Sequence, residues 1–218
     1  MTPLASGWIV AMALAPGLGL LWWFYHKDKL DPEPYTLVAG AFFRGMFYVI
    51  PAGLLEELTG PLFGENLILY SFVGIAMVEE GLKWFALRRY IAHPACDECY
   101  DGIVYGTSVA LGFATLENLM YVVGAANPLL IAGWRAVLAV PLHALCGLAM
   151  GYEAGRQKQV YGKITSIFRI LVTPVFAHGL YDLMLLTNSG IGIVVAIAIV
   201  VLMWRSGFRK IRLARLCP

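Results

Sequence analysis

Hydrophobic residues run along this chain in blocks of about 20, the length that carries an α-helix across a bilayer core, and short polar stretches divide them. Within a block the apolar positions go all the way round the helix instead of keeping to one face. That is the pattern of a helix surrounded by lipid or by other helices, not of one lying on a soluble core. The blocks predict seven spans, at roughly 4–25, 36–59, 66–90, 102–124, 129–153, 164–187 and 190–208. Pro51 and Gly53 are expected to bend or break the second span, and Pro141 to bend the fifth. The expected fold is all-α: one polytopic transmembrane helical domain over residues 1–218, in the cell membrane.

Six ionisable residues interrupt these blocks. Glu79 and Glu80 fall inside LILYSFVGIAMVEEGLKWFAL, Glu117 inside YGTSVALGFATLENLMYVV, His143 inside WRAVLAVPLHALCGLAM, and His178 and Asp182 inside ILVTPVFAHGLYDLMLL. A charged group at bilayer depth costs roughly 2.5–3.5 kcal/mol or more, so such groups face a bundle interior and mark a working site. With a rise of about 1.5 Å per residue, Glu79/Glu80, Glu117, His143 and His178 share one layer near mid-membrane. Asp182 lies about one turn outward. Glu56 and Glu57, near the outer end of the second span, are expected at the interface or in substrate recognition.

Composition agrees: 60% of residues are hydrophobic and 14% charged, against about 25% charged in an ordinary soluble domain, and the mean hydropathy is +0.72. The basic residues set an orientation. Lys27 and Lys29 lie in the first loop, Arg88 and Arg89 open the third, and Arg156, Lys158 and Lys163 fill the fifth. Arg209, Lys210, Arg212 and Arg215 are in the tail, and the even-numbered loops contribute only Arg135. Odd loops and the C-terminus are therefore expected in the cytoplasm and the N-terminus outside. The first span, with no Lys or Arg before Lys27, is expected to stay as an N-out anchor. Topology accounts for the basic residues, so no nucleic-acid partner is implied.

His93, Cys96 and Cys99 could contribute to a zinc site, but a closed structural site needs four ligands. No disulfide framework is implied. Gly102 and Gly106 in span four, and Gly147, Gly151 and Gly155 in span five, have the small-xxx-small spacing that lets backbones approach. Spans four and five are expected to pack together and bring Glu117 near His143.

Lys83 stands i+4 from Glu79 and i+3 from Glu80, so it can hold one glutamate ionised while the other serves as acid or base. Asp182, i+4 from His178, can orient that imidazole. Asn118 offers an amide beside Glu117. Such a cluster can activate water, directly or through a metal, and so hydrolyse a peptide bond; the same groups could ferry protons or cations. No H-E-x-x-H is present, which excludes zincin-type binding. G-x-S-x-G is also missing. The residues alone leave a hydrolase and a membrane transporter or ion carrier both open.

The runs V-E-E-G-L-K-W, D-G-I-V-Y-G, G-F-A-T-L-E-N-L-M-Y, P-L-H-A-L-C-G and F-A-H-G-L-Y-D, preceded by D-P-E-P, resemble the PrsW family of intramembrane proteases, in that order over roughly residues 20–185. The family is similar to the CAAX prenyl endopeptidases and their bacteriocin-processing relatives. Where that wider group has Phe-x-x-x-His and His-x-x-x-Asn, this chain has Phe113 before Glu117 and His178 before Asp182. The resemblance implies a hydrolase acting through Glu79, Glu80, Glu117, His143 and His178, with Lys83, Asn118 and Asp182 supporting them. It implies Glu79 or Glu80 as general base, and Asn118 and His178 as candidates to stabilise the oxyanion. A divalent metal, zinc foremost, would be held by Glu80, Glu117, His143 and His178. The implied substrate is a single-pass anti-sigma factor, given its first cut to release an extracytoplasmic-function sigma factor under envelope stress.

Overall fold

A computed structural model of the chain describes residues 3–28, 31–63 and 65–217; Lys29, counted in the charge reading, lies outside them. The described residues are helical apart from short turns. The first helices are α1 (Pro3–Lys27), α2 (Tyr35–Phe63) and a one-turn α3 (Leu67–Leu69). A π-helical stretch, Tyr70–Ala76, leads from α3 straight into α4 (Met77–Ile91). Then come α5 (Cys99–Gly124), α6 (Pro128–Val137), α7 (Ala139–Tyr161), α8 (Ile167–Leu186) and α9 (Gly190–Ala214). With no water to bond the backbone in hydrocarbon, helices that satisfy their own N–H and C=O groups are what such a sequence can form.

Five helical stretches are long and apolar enough to cross a membrane: Gly7–Lys27, Tyr35–Phe63, Pro128–Tyr161, Ile167–Leu186 and Gly190–Ala214. The other two long stretches, 67–91 and Cys99–Gly124, carry most of the polar residues that face the interior. The expected break in the second span is absent, since α2 runs through Pro51 and Pro61 unbroken. The expected bend in the fifth falls at Leu138 (φ −115°, ψ −64°), between α6 and α7. Pro141 explains the position: its ring displaces the carbonyl four residues back, at Val137, and it offers no N–H to bond it.

Helix α5 is the axis of the bundle, buried along Cys99–Thr115. Glycines let its neighbours reach its backbone. A Cβ on Gly106 would lie 2.9 Å from the Gly151 Cα, and one on Gly102 would lie 2.9 Å from the Gly155 Cα. On another side, Gly45 of α2 backs onto Val109 and Gly112 onto Phe42. The hydroxyls along α5 bond back into its own helix, Thr107 to Ile103 O at 2.8 Å and Thr115 to Leu111 O at 2.6 Å, so they are buried without an unmet need.

At one end of the bundle the end of α1, residues 31–34 and 92–98, the end of α7 and the C-terminal tail are tied together. Lys158 Nζ donates to His93 O at 2.7 Å, and Arg215 Nη2 to Lys27 O at 2.7 Å. The expectation of unpaired cysteines is corrected here. The tail folds back so that Cys217 forms a disulfide with Cys99, across a sequence separation of 118. That removes Cys99 from any metal set with His93 and Cys96, while Cys96 and Cys146 are free and buried. Two acidic side chains of the first loop are buried at this end. Burial, and then the Glu98 and Asp31 carboxylates, raise Asp28 to about 6. Burial raises Glu33 to about 7, with the Tyr105 hydroxyl that bonds its carboxylate pulling the other way.

Candidate active site

Four helices deliver the polar cluster. Glu79, Glu80 and Lys83 come from the first two turns of α4, directly after the π-helical stretch, whose wider turn shifts the register of every residue that follows. Such π turns recur at functional sites. Phe72 of that stretch packs on Gly179 of α8, where a Cβ would fall 2.7 Å from its ring. This close approach sets His178, one residue earlier, against α4. Helix α7 brings His143 and α5 brings Glu117, further along the two helices that the glycine contact holds together.

The Lys83 ammonium is at the centre. It lies 3.0 Å from Glu79 Oε2, 2.7 Å from Glu80 Oε1 and 2.8 Å from His143 Nδ1, and 4.3 Å above the Phe113 ring. His178 Nδ1 is 2.9 Å from Glu80 Oε1. Its Nε2 is 3.2 Å from Asp182 Oδ2, an ion-pair distance without the alignment of a hydrogen bond. His143 Nε2 is 3.0 Å from Glu117 Oε2. All six interrupting residues, with Lys83, therefore form one connected network.

The two adjacent glutamates are not equivalent. Glu80 is wholly enclosed, 0% exposed, with Oε1 shared by Lys83 and His178 and Oε2 buried without a partner. Glu79 borders a cavity of about 410 Å³, together with His143, His178, Glu117 and Asp182. The cavity has apolar walls, such as Leu142 and Ile193. It runs past Tyr121 and Leu185, toward the end of the bundle opposite the tied loops.

Glu79, Glu80, His143 and His178 can each offer a ligand atom such that all four lie within 4.8 Å of one another. Two carboxylates and two imidazoles suit zinc, and the unpartnered buried Oε2 of Glu80 is an acceptor that a cation would satisfy. The residues thus fit a divalent metal. This set differs from the expected one in a single member: Glu79 stands in place of Glu117, which is engaged by an arginine.

That arginine is Arg135 of α6, which sequence reasoning used only in the charge balance. Its Nη2 donates to Glu117 Oε2 at 2.7 Å and its Nε to Asn118 Oδ1 at 3.0 Å, and its guanidinium lies 4.1 Å over the Tyr121 ring. An arginine inside the apolar run of the fifth span was the available signal. Asn118 is 0% exposed, and its Nδ2 donates to Ala13 O at 2.7 Å. Its amide is bonded at both ends, to α1 and to Arg135, and does not line the cavity, whereas an oxyanion donor was expected there. Glu56, half-buried on α2, has its Oε1 buried without a partner and stands within charge–charge reach of Glu79 and Glu117.

Comparison with known proteins gives a consistent answer. The profile of a family described as PrsW family intramembrane metalloprotease matches residues 33–205. A protein named Protease PrsW from Bacillus subtilis (strain 168) is 39% identical over 211 residues, covering 95% of each chain. A second, from Geobacillus kaustophilus (strain HTA426), is 35% identical over 213 residues, covering 95% of this chain and 92% of the relative. A third, from Clostridioides difficile (strain 630), is 30% identical over 210 residues, covering 92% and 88%. No solved structure matches.

Proposed function

This chain belongs to the PrsW family of intramembrane metalloproteases, and from that premise we propose that Glu79 is its general base and a single-pass anti-sigma factor its substrate. It is a multi-pass bacterial membrane hydrolase that cuts protein within the bilayer. The observation that carries the assignment of Glu79 is its place on the cavity wall, while Glu80 is sealed beneath it.

In this reading the whole chain is one protease domain and all seven long helical stretches span the membrane, with the N-terminus outside. The basic end, with its tied loops, faces the cytoplasm, and the cavity opens toward the extracytoplasmic half. A first cut near that face would lead to release of the sigma factor. The substrate helix must unwind locally, because a carbonyl bonded within a helix is shielded from attack. The walls of the cavity exclude bulk water, and His178 and Asp182 border the place where the unwound peptide would lie.

The water oxygen bonds to the scissile carbonyl carbon as Glu79 takes the water's proton, and the carbonyl π pair moves onto oxygen. Collapse of that oxyanion breaks the C–N bond, and Glu79 returns the proton to the leaving amine. Lys83 keeps the two glutamates and His143 together, and Glu117 fixes the His143 ring from its far side. A divalent metal on Glu80, His143 and His178, zinc on this donor set, would polarise the water and the carbonyl, with Glu79, the fourth member of the group, left to accept the water's proton.

The test is cleavage of a co-expressed single-pass anti-sigma candidate by wild type, Glu79→Gln and Glu80→Gln. A fragment made by wild type and lost in Glu79→Gln, with protein levels unchanged, supports the reading. A fragment made equally by both variants would remove the glutamate pair from the chemistry.

A further inference from the structure

We propose that Arg135 is the group that binds the oxyanion formed at the scissile carbonyl. The inference rests on the protease reading above and adds a catalytic residue to it.

Hydrolysis of an amide concentrates negative charge on the carbonyl oxygen, and a preorganised donor aimed at that oxygen is a large part of catalysis. The donor must face the cavity and have an N–H to spare. Asn118 fails the first condition, being fully enclosed, with its amide nitrogen turned to Ala13 O on α1 and away from the cavity. Lys83 also fails, since its three contacts at 2.7–3.0 Å use up the three donors of an ammonium. Arg135 meets both. It borders the cavity, and a guanidinium has five N–H donors in a fixed fork. Among the described residues its hydrogen bonds use only Nε and Nη2. The Nη1 group has no hydrogen-bond partner among the described residues and is not among the buried unpartnered atoms, on a side chain that lines the cavity.

The placement is rigid. Asn118 and Glu117 grip two corners of the fork from α5, and the Tyr121 ring lies 4.1 Å beneath it. The same Glu117 oxygen that accepts from Arg135 lies 3.0 Å from His143 Nε2, and His143 Nδ1 lies 3.9 Å from Glu79 Oε2. The base and the free guanidinium edge are therefore set at two points on one cavity wall, separated by a continuous chain of contacts. A carbonyl lying between them would meet water on the Glu79 side and an N–H on the Arg135 side. Arg135 is on α6, which joins the rest of the fifth span through the irregular Leu138, so its position depends on this grip rather than on helix continuity.

The experiment uses the full chain reconstituted in phosphatidylethanolamine/phosphatidylglycerol vesicles with a single-pass peptide that wild type cleaves, measuring kcat and KM separately. Arg135→Ala should lower kcat by about 10²–10³-fold, the effect of losing one oxyanion donor, with KM nearly unchanged. Added guanidinium ion should restore part of that kcat, whereas ammonium should not. Asn118→Ala, which loosens the grip but leaves the donor, should lose much less. If Arg135→Ala does not insert, Arg135→Lys retains the cation beside Glu117, and a fall in kcat of at least about tenfold at normal melting temperature carries the same meaning. A raised KM with kcat kept, wild-type kcat in the lysine variant, or loss insensitive to guanidinium would each overturn the assignment. Glu79→Gln separates the two levels: cleavage by that variant defeats the protease mechanism itself. An inactive Glu79→Gln beside a fully active Arg135→Ala defeats only the role of Arg135.

Discussion

Replacing Lys83 by methionine probes the centre of the site without changing its volume much. The ammonium is 1% exposed and touches Glu79 Oε2, Glu80 Oε1 and His143 Nδ1 at 2.7–3.0 Å. Removing one partner of a buried ion pair leaves an uncompensated charge and costs about 3–5 kcal/mol. Here the removed cation serves two carboxylates. At roughly 2–4 °C per kcal/mol for a chain of this size, the melting temperature should fall by roughly 6–20 °C. A divalent metal beside Glu79 and Glu80 would compete with the ammonium for the charge of the same two carboxylates, so zinc should stabilise Lys83→Met more than it stabilises wild type. Metal at about 100 times its Kd adds about 2.7 kcal/mol, enough to recover much of the loss. The assay is thermal unfolding in detergent, for both proteins, with chelator and with added zinc. Unchanged melting in Lys83→Met would show that the ammonium does not neutralise the pair. An identical zinc response in the two proteins would show that metal and lysine do not compete for those carboxylates.

Three further outcomes follow from the geometry. Gly106→Val drives a side chain into the Gly151 backbone, where a Cβ already comes to 2.9 Å of the Cα; backbone cannot yield as a side-chain tip does, so destabilisation should exceed about 3 kcal/mol and cleavage should fall with it in the vesicle assay. The raised values of Asp28 and Glu33, about 6 and about 7, favour the protonated forms in the folded state. Their stabilising contribution is full below about pH 4 and is lost as pH rises through about 6–7; hydrogen exchange in the first loop and tail should therefore quicken from pH 5 to pH 8, and flat protection would refute this. The Cys99–Cys217 disulfide tests the orientation: with that end in the cytoplasm the bond is reduced in cells and a permeant alkylating reagent should label Cys217 in intact spheroplasts, while a bond that stays oxidised in cells would place that end outside.

The helices were legible because twenty apolar residues in a row have few other fates. The six ionisable interruptions were legible for the related reason that hydrocarbon tolerates them only in company. The glycine spacing of α5 and α7 showed which helices would touch. What could not be read was the rotation of each side chain about its helix. Glu79 and Glu80 are neighbours in sequence, yet one borders the cavity and the other is sealed, because the π turn before them resets the register. Asn118 looked like a donor because its sequence neighbour is Glu117, but its amide points toward α1. Arg135 was hidden by its position near a helix end, where a basic residue ordinarily means topology. The disulfide joins residues 118 apart, and no local pattern encodes a tail that returns to the start of α5.

The glycine seam between α5 and α7 has a consequence for the lipid around the protein. The helices that carry Glu117 and His143 are held backbone against backbone at residues 102–106 and 147–155, with no long side chains in that seam to compress or splay. A thinner or thicker bilayer will tilt the outer helices, which lipid contacts directly, but it has little purchase on a seam that lipid never touches. The spacing of these two groups should thus stay constant while the outline of the molecule adapts, making the chemistry less sensitive to acyl-chain length than the entry of the substrate.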